Sequence, residues 1–279
     1  MTIKKTALAL LSVFTISAGA STALPNHPLP SNPLPNHPIA GGIISLPIDN
    51  EGAVTLNDKP VLTTQIDGQR YAVIGVSLKA EDTLTLKIDG EEQPQLLEDF
   101  AYEEQHIEIK NTRKVNPQKN DMDRIGREYN QMTPVYQSFS AELTPDWNQM
   151  ILPTTGPYSS AFGLKRFFNG QARNPHSGID IAAPEGKDII APAGGTVVLT
   201  GDFFFNGQSV FIDHGQGLIS MMCHMSRIDV KEGDIVEQGE LIGAVGKTGR
   251  ATGPHLHWTV SLNNARVNPK LLLKADQPK

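Results

Sequence analysis

Three short segments in the second half of the chain carry side chains that bind metals or move protons. The first reads Asn174-Pro175-His176-Ser177-Gly178-Ile179-Asp180-Ile181. Along an extended backbone side chains alternate, so His176, Gly178 and Asp180 share one face while Ile179 and Ile181 turn towards a core. Gly178 leaves room over the backbone, and an imidazole and a carboxylate flanking that gap suit a divalent metal. The second segment is Thr252-Gly253-Pro254-His255-Leu256-His257-Trp258. On a strand His255 and His257 share a face, with Leu256 buried behind them. The third is Met222-Cys223-His224-Met225. Regular alternation predicts Ser220, Met222 and His224 on one face and Met221, Cys223 and Met225 on the other.

Catalytic zinc commonly takes three protein ligands and keeps one position for water. His176 and Asp180 supply two ligands, and one of His255 and His257 supplies the third. The two remaining histidines are left for proton transfer and charge stabilisation. A zinc-bound water has its pKa lowered to about 7, which makes it a nucleophile at neutral pH. Any single His-x-His on a strand is commonly just a satisfied polar pair. The weight lies in the combination: four of the chain's 8 histidines fall in three motifs of one glycine-rich region.

That region, residues 149–275, must build the scaffold. Between Gly194 and Gly253 lie 12 of the chain's 25 glycines, separating the runs GTVVLTG, QSVFIDHG, LISMMCHM, ELIGAVG and HLHWTVSL. Short strands punctuated by glycine turns predict an antiparallel sheet rather than a parallel one with helical crossovers. Other residues there are assigned plainer roles. His214, beside Gly215, reads as a turn residue rather than a ligand. Cys223 reads as a small buried residue pointing away from His224. Phe203, Phe204 and Phe205 cannot all face inwards, so at least one is a groove-wall candidate. Ser177 follows His176 without a base and orienting partner in a triad pattern, which argues against a serine hydrolase.

The rest of the chain sets the context. It has 279 residues, 39% of them hydrophobic and 19% charged, which is enough for packed cores and excludes wholesale disorder. The net charge of -6 argues against a nucleic-acid partner, and one cysteine cannot close an internal disulfide. Residues 1–23 combine Lys4 and Lys5, an apolar run from Ala7 to Ile16 and small residues at Ser21-Thr22-Ala23, the pattern of a secretory signal peptide. Its apolar run is too short for a stable membrane span, and no later segment approaches one. Losing the two lysines takes the mature charge from -6 to -8. The expectation is an exported protein, periplasmic or secreted, without a membrane span after processing. Residues 24–40, with LPNHP twice, predict an extended proline-rich linker, where His27 and His37 on a tether make a poor metal site. Residues 41–114 predict a smaller β-sandwich-like unit, its strands separated by Asn-Asp and Asp-Gly breaks, with His106 on a strand or its exposed face. Residues 115–148 predict a helical connector with Met122, Ile125, Tyr129 and Met132 as its packed stripe and Pro134 limiting its first part. The fold class expected is dominated by β-structure throughout.

The motifs His176-Ser-Gly-Ile-Asp180-Ile-Ala-Ala-Pro-Glu-Gly, Ala191-Pro-Ala-Gly-Gly-Thr-Val, Ile212-Asp-His-Gly, Met222-Cys-His224-Met-Ser and Thr248-Gly-Arg-Ala-Thr-Gly-Pro-His255-Leu-His257 resemble, in order and spacing, the M23 family of zinc metallopeptidases, the lysostaphin- or LytM-like peptidoglycan endopeptidases. The resemblance covers about residues 159–268. It implies an antiparallel β fold with a groove and a single zinc ion held by His176, Asp180 and His257. It also implies His255 as base or transition-state stabiliser and His224 as the family's other catalytic histidine. Two departures bear on the substrate pocket: Met222-Cys223-His224-Met225 stands where Tyr-x-His-Leu is frequent, and Thr259 follows Trp258 where an acidic residue is frequent. The function implied is an exported zinc endopeptidase cutting peptidoglycan stems or cross-links. Two alternatives are a non-catalytic regulator of wall hydrolases and a zinc endopeptidase acting on glycine-rich proteins. The front β unit is a candidate cover for the active site.

Overall fold

Two-residue turns that need left-handed backbone set the strand pairing at the front of the molecule. In the computed structural model, which describes residues 34–49 and 51–277, Asn57 and Asp58 both have positive φ, 52° and 59°, and join the Val54–Leu56 and Lys59–Pro60 strands. Asp67 and Gly68 (50° and 81°) join Leu62–Ile66 to Gln69–Gly75 in the same way. Positive φ at both central residues matches the turn to the twist of the flanking strands. These are the Asn-Asp and Asp-Gly breaks that the sequence shows.

The front unit holds two antiparallel sheets. One has Gln69–Gly75 between Ile43–Ile48 and Leu62–Ile66. The other has four strands, with Val54–Leu56 and Thr83–Ile88 at its centre and Glu91–Leu96 along one edge. Ile48, Val54, Val61, Ala72, Ile74, Leu86 and Ile88 form the core of this unit. Residues 34–40 run against it: Ser45 Oγ donates to Pro35 O at 2.7 Å, and Ile39 bridges to Glu98. Residues 1–33, which carry the expected signal peptide and His27, lie outside the described residues.

An eight-stranded sheet forms the scaffold behind the histidine motifs. Its path runs Ile235–Val236, Gly195–Phe203, Gly207–Gly215, Leu218–Met225, His255–Leu262, Ile179–Ala182 and Tyr158–Ser160, with Ala265–Val267 added to the His255–Leu262 strand. Every pairing in it is antiparallel. One face packs on the main core, where Ile179, Ile181, Met222, Leu256, Trp258, Val260 and Leu262 are buried. That core also takes Ile43, Leu62 and Val73 from the front unit. Asn263 seals the join, exchanging hydrogen bonds with Gly75 at 2.7 and 3.0 Å. Burial of this many aliphatic and aromatic side chains, at about 25 cal/mol per Å² of apolar surface, is what holds the sheet together.

The single α-helix among the described residues, Lys119–Gln137, departs from expectation in two ways. It continues through Pro134, and only part of the expected stripe packs: Met132 lies against Phe203, Phe211 and Met221, and Ile125 is half-buried, but Met122 and Tyr129 face outwards. Met122 is 54% exposed and Tyr129 65%, whereas Asp121, Glu128 and Tyr136 are buried. The reason is polar satisfaction: Glu128 accepts from Phe204 N at 2.8 Å and from Arg124 Nε at 2.5 Å, and Asp121 accepts from Arg113 Nε at 2.7 Å. Hydrogen-bonded carboxylates can take buried positions that periodicity assigns to apolar residues. This helix is not long and apolar enough to cross a membrane.

Candidate active site

The Ile179–Ala182 strand pairs with the His255–Leu262 strand in a register that sets Asp180 opposite His257. Directly opposed residues share a face, so both side chains emerge on the side away from the main core. His176 reaches them from the loop before Ile179. The three donor atoms form a tight triangle: His176 Nε2 to Asp180 Oδ1 3.0 Å, His176 Nε2 to His257 Nδ1 3.0 Å, and His257 Nδ1 to Asp180 Oδ1 2.7 Å. Gly178 makes the triangle possible. A Cβ there would stand 2.4 Å from Trp258 O and 2.9 Å from the His257 ring. What occupies the room over Gly178 is therefore the His257 imidazole itself.

Neighbouring groups orient each donor. His176 donates from Nδ1 to Ala161 O at 2.6 Å, which turns the lone pair of Nε2 to the centre. His257 donates from Nε2 to Thr259 Oγ1 at 2.9 Å, which turns Nδ1 inwards. Arg166 donates to Asp180 Oδ2 at 2.9 Å, and is itself held by Gln105 and Ser160, each at 3.1 Å. Burial opposes charge on Asp180, yet the facing imidazoles of His176 and His257 hold its carboxyl well below the usual carboxylate range. Burial pushes His176 down to about 4, so its imidazole is neutral at pH 7. Two inward lone pairs and one carboxylate oxygen within 3.0 Å repel one another unless a cation lies among them. A tetrahedral ion with bonds of about 2.0–2.1 Å sets its donors roughly 3.3 Å apart, close to this triangle. The donor set fits a borderline-soft divalent ion such as zinc.

His224 and His255 lie beside this triangle. Their ring centroids are 4.8 Å apart, and His224 is 6.1 Å from His257. Each is fixed through Nδ1, His224 to Thr248 O at 2.9 Å and His255 to Gly253 O at 2.8 Å, leaving Nε2 of both as a proton acceptor. Burial, with His255 and His257 nearby, pushes His224 down to about 3.

The route by which His224 arrives corrects the alternation argument. Cys223 pairs with His257 and so faces the site side, while Met222 pairs with Trp258 and faces the core. Regular alternation would send His224 into that core. Instead its φ is 62°, and Cys223 and His224 together oppose Ser209, since Val210 pairs with Met222 and Gln208 with Met225. This bulge turns His224 to the site and returns Met225 to the core. Cys223 thus lies on the same side as His224, not away from it. His214 is corrected too: it is no turn residue but a buried member of the Gly207–Gly215 strand, bonded to Gly194 O at 2.6 Å and Ser220 Oγ at 2.8 Å.

The five residues open onto a cleft of about 560 Å³, within the usual size range of ligand sites. Phe205 is the member of the phenylalanine run that lines it. Ile107 and Ile109, within the 41–114 stretch, and Val115 and Asn116 just after it also line the cleft. The Glu104–Ile107 strand reaches the site by pairing in parallel with Lys165–Phe168, and His106 on it stacks on Phe167 at 4.6 Å rather than entering the cleft.

Residues 174–269 match the model of peptidase family M23. A solved structure from Pseudomonas aeruginosa, described as an M23 peptidase, is 39% identical, covers 86% of this chain and 96% of its own, and superimposes with a TM-score of 0.72. This chain belongs to peptidase family M23. Over 111 residues it is 40% identical to the DD-carboxypeptidase/endopeptidase Mpg of Neisseria meningitidis, a match covering 40% of this chain and 26% of that protein. Over 104 residues it is 39% identical to the peptidoglycan DD-endopeptidase ShyA of Vibrio cholerae, covering 37% and 24%. The match therefore spans about a quarter of the length of these curated relatives.

The matched M23 segment contains His176, Asp180, His224, His255 and His257, and the fold brings all five together. Three supporting residues escaped the sequence reading. Arg166 and Gln105 lie outside the matched segment; a parallel pairing that no local pattern announces sets them opposite each other, and Arg166 reaches the segment through Asp180. Thr259, a departure from the M23 pattern in the sequence, is the acceptor that orients His257. Its position two residues beyond His257, on the same strand face, was the available signal.

Proposed function

We propose that this M23 chain is an exported zinc metalloendopeptidase that hydrolyses peptide bonds in peptidoglycan stems or cross-links. The observation that carries the reading is the convergence of His176 Nε2, Asp180 Oδ1 and His257 Nδ1 within 3.0 Å beside two further imidazoles, each fixed through Nδ1 by a backbone carbonyl. His176, Asp180 and His257 hold the ion; when bound, zinc supplies Lewis-acid polarisation of a carbonyl and lowers the pKa of water.

The chain's own residues do the remaining work. Arg166 and Thr259 fix the ligands so that they need not reorganise during the reaction. His255, its side chain 15% exposed against 1% for His176, faces the cleft and takes the proton of the attacking water at Nε2. Asp180 Oδ1, 3.9 Å from His255 Nε2, stabilises the imidazolium that results. That proton then passes to the leaving amine. His224, its ring 4.8 Å from that of His255, presents Nε2 as a second acceptor that orients the attacking water. The cleft wall of Ile107, Ile109, Phe168 and Phe205 excludes water from one side of the bound peptide.

The relatives named as peptidoglycan DD-endopeptidase and DD-carboxypeptidase/endopeptidase support a wall peptide as substrate, and the signal-like residues 1–23 support export. Digestion of purified sacculi, with and without chelator, followed by mass spectrometry of the fragments, tests the proposal. New peptide termini that vanish with chelator and return with zinc are expected. Intact sacculi with the zinc-loaded protein would overturn it.

A further inference from the structure

Three guanidinium groups, from Arg166, Arg173 and Arg250, line the cleft, and among its described lining residues Asp180 is the sole carboxylate. Arg166 is committed to Asp180. Arg173 is held at the cleft by neutral acceptors, Val115 O at 3.0 Å and Gln171 Oε1 at 2.7 Å. Arg250 is different. Its guanidinium carbon lies 4.8 Å from the Phe168 ring centroid and 4.4 Å from that of Phe205. Its backbone N–H bonds Phe205 O at 2.8 Å, which anchors the loop. Among the described residues its side-chain N–H groups donate to no acceptor. The charged groups it senses are Arg166 and Arg173, both of its own sign, and burial with these neighbours pushes its pKa down to about 10, so it remains a cation at neutral pH.

A half-buried cation in a cleft whose nearest charges share its sign gains from a ligand that supplies a counterion. Two aromatic contacts fix the guanidinium and leave its fork of N–H donors free. A carboxylate is the group that this fork matches in two parallel hydrogen bonds. We propose that Arg250, seconded by Arg173, forms a carboxylate-binding subsite that seats an acidic group of the substrate peptide beside the histidine cluster. The inference rests on the reading of this cleft as a peptide site and goes further by naming what the peptide must carry. A stem peptide offers such a group either at its C-terminus or on an internal side chain.

The test pairs ligand and protein changes. Stem tetrapeptides are titrated into the zinc-loaded protein by calorimetry in three forms: all carboxylates free, the C-terminus alone amidated, and the internal side-chain carboxylate alone amidated. One of the two amidations is expected to weaken binding to the unmodified protein about 10- to 100-fold, the range of charge-assisted bidentate bonds. Arg250→Met is expected to lose the same factor on the free acid and to show no further loss on the amide, with Arg250→Lys between them. Arg173→Gln shifts in the same direction by less, and serves where loss of the aromatic stack unfolds Arg250→Met. Equal binding of all three peptides to the unmodified protein, or an equal loss on acid and amide in a folded Arg250→Met, would overturn the subsite. Hydrolysis of sacculi without acid-over-amide discrimination removes the subsite and keeps the enzyme. Discrimination in binding without hydrolysis does the reverse.

Discussion

Gly178 is where a single methyl group should disable the metal centre without touching a ligand. The added Cβ of Gly178→Ala would lie 2.4 Å from Trp258 O and 2.9 Å from His257 Cε1 and Nε2. An ordinary carbon–oxygen contact lies at roughly 3.4 Å, so about 1 Å must be recovered by movement. The first obstacle is backbone, belonging to the strand that carries both His255 and His257, and Trp258 beneath it is fully buried. The strand cannot retreat into a packed core at small cost. Either the Ile179–Trp258 pairing opens or the His257 ring swings off Asp180. Overpacking of this kind costs about 1–3 kcal/mol of stability. A 1 Å misplacement in an active site costs on the order of 10²-fold in rate. We expect Gly178→Ala to fold with a lowered Tm, to bind zinc about 10- to 100-fold more weakly, the range for disturbed ligand orientation, and to digest sacculi about 100-fold more slowly. Tm by calorimetry, zinc content after dialysis against a buffered metal pool, and fragment release measure the three effects. A Gly178→Ala protein with unchanged zinc affinity and turnover would show that the close approach of His257 is not what sets the triangle.

His255→Ala should retain stoichiometric zinc by elemental analysis while wall digestion falls about 10²- to 10⁴-fold, the span of general acid–base contributions; a zinc-loaded variant with full activity would refute its role. Thr259→Val removes the acceptor of His257 Nε2 and should weaken zinc binding about 10- to 100-fold in a competition titration, with Thr259→Ser restoring most of it; equal affinities for Val and Thr would remove that role. Buried His214 has its pKa lowered by burial. Its unfolded form therefore binds more protons once pH falls below about 6.5, and stability is lost from there downwards at no more than about 1.4 kcal/mol per pH unit. His214→Gln should show a shallower fall in unfolding free energy than the parent between pH 6.5 and 4.5; parallel curves would mean that His214 contributes nothing there.

The ligands were legible because their geometry is local. His255-Leu256-His257 and Ile179-Asp180-Ile181 follow the period of a strand, and a period of two is written in the sequence. His224 was legible as a residue but not as a direction, because its arrival depends on a left-handed φ that reverses the alternation of its own strand. Nothing in Met222-Cys223-His224-Met225 marks that reversal, although histidine tolerates this backbone better than most residues. The helix was legible as an element but only partly as a face: Met132 packs as expected, while hydrogen-bonded Glu128 and Asp121 are buried where Met122 and Tyr129 were expected to be. The same physics hides the supporting residues. Arg166, Gln105 and Arg250 act through pairings between segments distant in the chain, and charge carries no periodicity. What a sequence leaves out here is the solvation of polar groups: where each buried carboxylate, imidazole or guanidinium finds its partner decides the orientation of the site. For Arg250, which donates to no acceptor among the described residues, the proposed partner is a carboxylate of the substrate.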